Sequence, residues 1–368
     1  MPVAMQTIGR LTPLTDVWSL IEREVKPLAP RVLRLGDALH AVLAADVVAR
    51  THPIQALALT DGWALAAEAT LDAGAYAAAP LSALPPRVDV GQPLPPGTDS
   101  VAPIDTVKVI GDRAEALLPI NPGDGVLPAA GDCDASTPLR CAGQSLRKVD
   151  LAVLAAAGIV EVAVRIPRLC VAALRRDAIV DAAARLVASD AAANGGQARQ
   201  TDGDDLRAAL AVDDADFIVA IGGTGSGRDD ASVRTLTHTG RTAVHGIGLA
   251  PGTSTAFGFV GPRPVLLLPG RLDSALAAWL TIGRHILSRL AGGRPETAGT
   301  TVILSRKIVS TIGLAEVVPV RRTGDSAEPL ASKYLPWSAL ARADGYILVP
   351  AESEGYSVGA KVSLWPWP

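Results

Sequence analysis

The sequence predicts a multi-domain α/β protein, and three features of the chain lead to that fold class. With 368 residues and 49% hydrophobic content, the chain exceeds a single compact core and should divide into roughly two to four domains. From residue 168 to residue 297, strand-like and helix-like runs alternate, which predicts a central doubly wound, mostly parallel sheet. Short strand patterns on either side predict an inserted β-rich module and a small C-terminal all-β domain.

The beginning of the chain is predicted to be helical. Thr15 stands where an N-cap would precede the amphipathic run DVWSLIEREV, and LGDALHAVLAADV (residues 35–47) repeats apolar residues at helical spacing. A further helix is expected from Leu146 to Ala157, ended by Gly158 and followed by a short strand. We expect residues 1–50 and 129–167 to form one helical or mixed domain.

The intervening residues 51–128 have a different composition. Proline and glycine are frequent, as in PLSALPPRVDVGQPLPPGTDS, and the apolar runs between them are short. This pattern is typical of short strands and turns, and it predicts the β-rich module as an insertion. Residues 298–368 also alternate apolar and polar side chains, which predicts the all-β C-terminal domain.

Residues 168–297 are predicted to hold the ligand site. The expected strands include LCVAAL, DFIVAI, VHGIGL and VLLLPG, and the last expected helix is SALAAWLTIGRHILSRL. Parallel sheets of this kind bind ligands beyond the carboxyl ends of their strands. Three loops rich in glycine and proline fall at such places: GGTGSGRDD (Gly222–Asp230), APGTS (Ala250–Ser254) and LPGRLDS (Leu268–Ser274). The third leads directly into a helix, whose free N–H groups and dipole favour an anion.

Composition and charge exclude several classes of protein. The formal net charge is −3 and charged residues make up 19%, so no basic nucleic-acid-binding face is expected. The three cysteines lack C-x-x-C spacing, which argues against a disulfide framework or a zinc site and favours a reducing compartment. The longest apolar run, Leu151–Val160, is too short to span a bilayer, and no secretory signal pattern is present. We therefore expect a cytoplasmic protein without a membrane or nucleic-acid partner.

The first glycine loop matches none of the common nucleotide or nucleophile motifs. It lacks the lysine of a Walker A loop and the G-x-G-x-x-G spacing of a dinucleotide site, and Ser226 is not at the centre of G-x-S-x-G. The five histidines show no i, i+4 pairing, so we place no metal on them. One glycine loop alone would indicate an ordinary turn, but three on one α/β domain favour a phosphate or oxyanion ligand.

In order and spacing, these strings resemble the MoeA and gephyrin type molybdopterin molybdenumtransferases. ALTDGWAL (Ala58–Leu65) is similar to that family's M-D-G-Y-A signature, and GQPLPPGTDSVAPID to its G-A-P-x-P-x-G-A-D-A-V segment. The three loops resemble the family's G-G-x-S-x-G-x-x-D, R-P-G-K-P-x-x-F-G and L-P-G-N-P-x-S-A strings. The resemblance runs nearly end to end. It implies a MogA/MoaB-like α/β domain, a small β-barrel as the C-terminal domain, a homodimer and a role in molybdenum cofactor biosynthesis.

The resemblance also implies which residues bind the ligand, molybdopterin or molybdopterin-AMP. These are the loop residues Gly222, Gly223, Thr224, Gly225, Ser226, Gly227, Arg228, Pro251, Gly252, Thr253, Ser254, Pro269, Gly270, Arg271 and Ser274. Asp61 and Asp230 are implied as catalytic acids, and Asp230 also as a ligand of Mg²⁺, which would assist molybdate insertion. From the residues alone, an Asx-turn for Asp61 and solvated surface arginines for Arg228 and Arg271 remain open.

Several charged residues of the family pattern are replaced in this chain. The basic residues of R-P-G-K-P become Ala250 and Thr253, and the G-N-P asparagine becomes Arg271. The family's T-G-D-E-L loop should follow LCVAAL, but RRDAIV runs almost directly into a helix and leaves Ala178 where the acid should be. The acid of the family's G-E-D string falls at Cys133, between Asp132 and Asp134.

These departures leave three functional hypotheses. In the first, the chain is a divergent molybdenumtransferase in which Asp61, Asp230 and Asp132 or Asp134 perform acid/base and Mg²⁺ chemistry. In the second, it is a carrier that binds the cofactor and hands it to a client molybdoenzyme, which the missing T-G-D-E-L loop favours. In the third, it is a structural scaffold whose loops bind nothing.

Overall fold

The structure, a computed structural model, describes residues 6–74, 76–201, 204–294 and 299–368. The chain divides into two compact units. The larger comprises residues 1–45, 142–151 and 161–368, and the smaller comprises residues 46–141 and 152–160. The predicted boundary between residues 297 and 298 lies outside the described residues.

The helices of the described residues belong mostly to the larger unit. The longest begins as Leu272–Ala278, continues through a π-helical turn at Trp279–Gly283 and ends as Arg284–Ala291. The other α-helices are Leu14–Glu24, Lys148–Ala156, Ala178–Ala193, Leu206–Leu210, Ser232–Thr239 and Trp337–Leu340.

A six-stranded sheet forms the centre of the larger unit. Its strands lie in the order Gln197–Gln200, Arg168–Ala173, Phe217–Ile221, Arg263–Leu268, Ala256–Val260 and Arg241–His245. The first four are mutually parallel, and Ala256–Val260 runs antiparallel to both of its neighbours. The predicted doubly wound, mostly parallel sheet is confirmed, although the sequence did not reveal the antiparallel strand.

Alternate residues of the central strands are buried on opposite faces of this sheet. Phe217, Val219 and Ile221 pack in one apolar cluster with the helices Ala178–Ala193 and Leu272–Ala278. Ile218 and Ala220 pack in another with the helices Leu206–Leu210 and Ser232–Thr239. Because successive side chains of a strand point to opposite faces, a strand covered on both sides has an uninterrupted apolar sequence.

The C-terminal residues form the predicted small barrel. Its five strands close in the order Ala315–Thr323, Ser326–Pro329, Thr300–Leu304, Lys361–Pro366 and Gly345–Val349, and the last pairs again with the first. The strand Ile247–Ala250 adds to the outside of this barrel, parallel to Ala315–Thr323, and Thr12–Pro13 pairs with that added strand. Ile308–Val309 and Gly355–Tyr356 form a separate short pair.

The smaller unit is built from short strands joined by turns, in keeping with the β-rich module expected from its prolines and glycines. Its strands are Leu57–Ala58, Gly62–Leu65, Ala79–Leu81, Arg87–Val88, Ser100–Pro103, Val107–Ile110, Arg113–Ala116 and Val126–Leu127. A three-stranded sheet centred on Gly62–Leu65 packs Ala64, Val88 and Val101 together.

The prediction that residues 35–47 are helical is wrong. They form a 3₁₀ turn at Leu35–Asp37 and a strand at Val42–Leu43, which pairs with Glu161–Arg165 next to Arg31–Arg34. His40 has a positive φ of 64°, which a continuous helix does not allow. Pairing with strands distant in sequence therefore outweighs the local helical pattern.

Two other sequence-based boundaries also need correction. Thr15 is not the N-cap, because the helix begins at Leu14 after Pro13, which is held in a strand pair. VHGIGL is not one strand: it divides at Gly246 into Arg241–His245 of the central sheet and Ile247–Ala250 of the barrel sheet. Gly246 has φ 92°, and a Cβ there would lie 2.3 Å from Ile8 Cγ2, so only glycine fits at the point where the two strands separate.

A buried polar network lies under the π-helical turn. Asp190 accepts hydrogen bonds from Trp279 Nε1 at 2.6 Å, Arg284 Nε at 2.8 Å and Arg284 Nη2 at 2.6 Å. Arg284 Nη1 also donates to the carbonyl of Pro366 at 3.0 Å. This network fixes the long helix to the helix Ala178–Ala193 and to the barrel strand Lys361–Pro366.

Candidate functional site

Two of the predicted loops meet at the carboxyl edge of the central sheet. The glycine loop, residues 222–230, follows Phe217–Ile221, and the loop at Leu268–Ser274 follows the neighbouring strand. The N–H of Gly222 donates to the carbonyl of Leu268 at 2.8 Å. A Cβ on Gly270 would lie 3.6 Å from the Cα of Gly222, so the two backbones pass close to each other.

The third loop, residues 250–254, reaches the same edge from the barrel sheet. The hydroxyl groups of Thr224 and Ser254 lie 3.1 Å apart and join it to the glycine loop. Thr224 is almost fully buried, and its carbonyl lies 3.0 Å from Nε2 of His245. The structure therefore brings together all three loops that the sequence indicates.

The path of the glycine loop requires glycine at its start. Gly222 and Gly223 have φ values of 108° and 71°, which side-chain-bearing residues adopt only with strain. The carbonyl of Gly223 accepts from the N–H of Ser232 at 3.2 Å and from its hydroxyl at 2.6 Å. Gln6, buried, donates from Nε2 to the carbonyls of Gly223 and Gly225 at 2.7 and 2.8 Å. The N-terminal segment thus fixes the loop from one side.

Both carboxylate oxygens of Asp230 are engaged within the loop. Oδ2 accepts the N–H of Gly227 at 3.0 Å, and Oδ1 lies 3.1 Å from Nη2 of Arg175. A Cβ on Gly225 would lie 2.8 Å from Oδ2, so the carboxylate folds closely over its own loop. The side chain is only 12% exposed. Asp230 therefore organises the loop and pairs with a guanidinium.

Sequence reasoning missed Arg175. Only residues 174–177 connect the strand Arg168–Ala173 to the helix Ala178–Ala193, and Asp177 caps that helix by accepting the N–H of Ile179 at 2.7 Å. This short connection agrees with the expected loss of the family's T-G-D-E-L loop. Arg175 in RRDAIV carried no motif, and the signal that could have revealed it was a basic residue directly after a parallel strand.

The exposed part of the glycine loop carries an unpaired cation. Ser226, Gly227 and Arg228 are exposed, and Arg228 makes no ion pair or hydrogen bond within the described ranges. In contrast, the predicted contacts Pro251, Gly252, Pro269 and Ser274 are buried and pack the loops together. The residues left accessible to a ligand are Gly223, Gly225, Ser226, Gly227, Arg228, Thr253, Ser254, Gly270 and Arg271.

Arg271 is held by its own loop and by the barrel domain. Nε and Nη2 donate to the two oxygens of Asp273 at 3.1 and 2.9 Å, and Cζ lies 4.9 Å from the ring centroid of Tyr334. The hydrogen bond to Asp273 raises the pKa of Arg271. Arg271 is thus not a free surface arginine, although its side chain is 61% exposed.

Asp273 supplies a negative charge at this helix start, where the sequence had indicated an anionic ligand. It is buried, and its oxygens accept the N–H groups of Ser274 at 2.8 Å and Leu335 at 3.3 Å. Burial opposes its ionisation, but the hydrogen bonds from Arg271 and from these two amides, with the charge of Arg271, hold its pKa below the ordinary value. The helix N-terminus is therefore satisfied by a carboxylate of the chain.

The remaining acids of the hypothesis lie in the smaller unit. Asp61 is exposed, and its Oδ1 accepts the N–H of Val90 at 2.8 Å. Asp132 Oδ2 lies 3.6 Å from His52 Nε2, and Asp134 Oδ1 accepts the N–H of Ser136 at 2.8 Å. Cys133 donates to the carbonyl of Arg50 at 3.2 Å. Asp61 keeps one carboxylate oxygen without a hydrogen bond in the described structure.

The glycine loop does not fit the Mg²⁺ site that was expected at Asp230. A divalent ion would have to displace Arg175 from Oδ1 and compete with the Gly227 N–H for Oδ2. In the described part of the chain, no group of three or more His, Cys, Asp or Glu side chains is arranged to hold a metal ion. No helix there is sufficiently long and apolar to cross a membrane.

Known protein families match three successive segments of the chain. Residues 12–158 match the MoeA N-terminal region (domain I and II), residues 168–289 match a probable molybdopterin binding domain, and residues 301–367 match the MoeA C-terminal region (domain IV). Together these segments include nearly all of the described chain.

Individual relatives agree with these matches. The chain is similar to molybdopterin molybdenumtransferase 2 of Mycobacterium tuberculosis, with 24% identity over 94% of this chain and 97% of that protein. It is 31% identical to a putative molybdopterin biosynthesis protein of Methanocaldococcus jannaschii, but the matched region spans only 44% of this chain and 38% of that relative.

A solved structure supports the fold. The molybdopterin biosynthesis moeA protein of Pyrococcus horikoshii superposes with a TM-score of 0.76 at 21% identity, covering 96% of this chain and 99% of that one. The family segments occur in the family's own order along the chain, and the same arrangement of α/β domain and closed barrel is observed here. The chain therefore belongs to the MoeA family of molybdenum cofactor biosynthesis proteins.

Proposed function

We propose that the chain binds molybdopterin, or its adenylylated form, at the three loops of the larger unit and inserts molybdate into it. The observation that supports binding is the convergence of the loops through the Thr224–Ser254 contact and the Gly222–Leu268 hydrogen bond. Backbone amides at the carboxyl edge of a parallel sheet suit an anionic ligand. The 24%-identical Mycobacterium relative, similar over nearly its whole length, is named for the transferase reaction.

In this proposal the residues of the three loops have separate roles. Half-buried backbone at Gly223, Gly225 and Gly270 approaches the phosphate of the ligand, and the guanidinium groups of Arg228 and Arg271 add positive charge. Thr253 and Ser254 supply hydroxyl groups at the edge contributed by the barrel sheet. Arg228 is the more available cation, because Arg271 already shares its charge with Asp273.

Molybdate insertion is tested by mixing the purified protein with molybdopterin-AMP, molybdate and Mg²⁺. Release of AMP together with formation of active cofactor supports the transferase. An Arg228→Gln variant should bind the ligand more weakly and release AMP more slowly than the unaltered chain. Arg322→Gln is the matched control, because Arg322 lies on the barrel strand Ala315–Thr323 and pairs with backbone at Gly324.

Asp61 has a specific test within the same assay. Asp61→Asn keeps an oxygen that accepts the Val90 N–H but removes the negative charge. A catalytic acid or base at this position predicts loss of AMP release with an unchanged melting temperature. Normal turnover by Asp61→Asn would assign Asp61 to the hydrogen bond with Val90 alone.

A second candidate function is that of a carrier, which binds the cofactor and delivers it to a client molybdoenzyme without inserting molybdate. The engagement of both oxygens of Asp230 favours it, because this acid is not free to bind metal or to transfer protons. Within the short connection at residues 174–177, the one carboxylate is that of Asp177, which caps the following helix. Tight binding of molybdopterin without AMP release selects the carrier, and a homodimer remains a prediction for either function.

A further inference from the structure

The connection after the first parallel strand places a guanidinium beside the glycine loop. The N–H of Leu174 still donates to the carbonyl of Ile221 at 3.0 Å, so the chain runs alongside the neighbouring strand to its last residue. A Cβ on Gly222 would lie 3.9 Å from Cγ of Arg175. The side chain of Arg175 therefore leaves the sheet next to Gly222, where the glycine loop begins.

The ion pair at this loop presents its positive member to solvent. The side chain of Arg175 is 53% exposed, whereas that of Asp230 is 12% exposed. Nη2 of Arg175 donates to Asp230 Oδ1, and the other N–H groups of this guanidinium have no partner in the described residues. An anion approaching the loop meets the guanidinium first and the carboxylate only beneath it.

This arrangement suits a phosphate better than a metal ion. A guanidinium remains charged at all ordinary pH values and offers several N–H donors in a plane, which fit phosphate oxygens. A divalent cation needs free carboxylate oxygens, and both oxygens of Asp230 already accept hydrogen bonds. The positive charge that a bound metal would provide is therefore already present as Arg175.

We propose that Arg175 binds the phosphate of the molybdopterin ligand in place of a divalent cation. Asp230 is the positioning residue that holds the guanidinium over the loop. The proposal rests on the proposed function, since it assumes that molybdopterin binds at these loops. It adds that binding there does not require Mg²⁺, and that Arg175 determines the affinity for the phosphate.

The test is equilibrium binding of molybdopterin to the full chain under anaerobic conditions, measured with Mg²⁺ and, separately, with EDTA. The unaltered chain should bind with the same affinity in both buffers. Arg175→Gln should bind at least about tenfold more weakly in EDTA, the size expected for a lost charge-assisted hydrogen bond. Arg175→Lys should be intermediate, because it keeps the charge but loses the planar set of donors.

Two further variants separate a specific role from a general effect of charge. Arg176 is the neighbouring arginine, 87% exposed and 3.8 Å from Asp204, so Arg176→Gln should change affinity by less than about twofold. In Arg175→Gln the carboxylate of Asp230 is freed, and Mg²⁺ should then restore part of the binding. The double variant Arg175→Gln with Asp230→Asn should show no such restoration.

The outcomes distinguish this proposal from the proposed function. Loss of binding by the unaltered chain in EDTA, or equal affinities of Arg175→Gln and the unaltered chain, would overturn the role of Arg175 and leave binding at the loops intact. Absence of molybdopterin binding by the unaltered chain in both buffers would overturn both. Melting temperatures of the variants confirm that each one is folded.

Discussion

Two Arg–Asp pairs of the larger unit have the same chemistry in opposite environments. Arg284 and Asp190 are 9% and 4% exposed, whereas Arg175 and Asp230 are 53% and 12% exposed. In the buried pair, Trp279 donates a further hydrogen bond to Asp190, and the Pro366 carbonyl accepts one from Arg284. In the exposed pair, most guanidinium N–H groups face solvent. The comparison teaches that the first pair fixes elements of the fold to one another, whereas the second leaves N–H donors of Arg175 accessible to solvent.

Among the variants that test this contrast between a buried and an exposed pair, Asp190→Ala should cause the largest loss of stability. It would remove the carboxylate that accepts two hydrogen bonds from the buried guanidinium of Arg284, and we expect a loss of about 3–5 kcal/mol in the free energy of unfolding. Chemical denaturation measures the change. Asp181→Ala, on the same helix but only half-buried, is the control and should cost less than about 1 kcal/mol. A small effect of Asp190→Ala would mean that water reaches Arg284.

The same buried network can be disturbed from the backbone by Gly283→Ala. The added Cβ would lie 2.1 Å from Cε3 of Trp279 and push the indole away from Asp190. Overpacking of this kind costs about 1–3 kcal/mol. Gly36→Ala is the matched control, because nothing lies within 4 Å of its Cβ position. Equal stabilities of the two variants would contradict a tightly packed π-helical turn.

Arg271 and Asp273 form a third pair, which is intermediate between the other two because its carboxylate is buried and its guanidinium is exposed. We expect Asp273→Asn to cost about 1 kcal/mol at neutral pH. Because folding lowers the pKa of Asp273, this contribution is complete above the ordinary Asp pKa of about 3.9 and is lost as pH falls through the lowered value. Chemical denaturation of the unaltered protein and of Asp273→Asn, from neutral pH to below pH 3.9, measures the difference between their free energies of unfolding. This difference should shrink only in acid. A constant difference would contradict the ionic origin.

The smallest stability change is expected for Arg175→Gln. An exposed ion pair contributes about 0–1 kcal/mol, so the melting temperature should remain nearly unchanged while ligand binding weakens. Thermal unfolding followed by circular dichroism measures this. A loss as large as that of Asp190→Ala would assign Arg175 to the fold and remove the contrast between the two pairs.

The sequence predicted those parts of the structure that depend on local patterns. Uninterrupted apolar runs such as Phe217–Ile221 indicated strands buried on both faces, and the glycines that follow indicated a loop at the end of that strand. The resemblance supplied the order of the domains. A small C-terminal barrel and a ligand site at the three loops were therefore expected, but the number of barrel strands was not.

Long-range pairing accounts for what the sequence did not reveal. Residues 35–47 have helical spacing, but Val42–Leu43 forms a strand because Glu161–Arg165 lies beside it. At the site, the pairing of Arg175 with Asp230 joins residues far apart in the sequence, and no periodicity predicts such a contact. Similarly, Gln6 donates to the glycine loop from a segment without any motif.

The division of one apparent strand at Gly246 makes the relative position of the three loops a joint property of two sheets. The glycine loop and the loop at Leu268–Ser274 are anchored in the α/β sheet, whereas Ser254 follows a strand paired with the barrel at Ala315. A displacement of that barrel strand relative to the α/β sheet would be passed to Ser254 and change its distance from Thr224. The meeting of the three loops thus depends on the closed barrel of the C-terminal residues 300–366, although those residues lie in none of the loops.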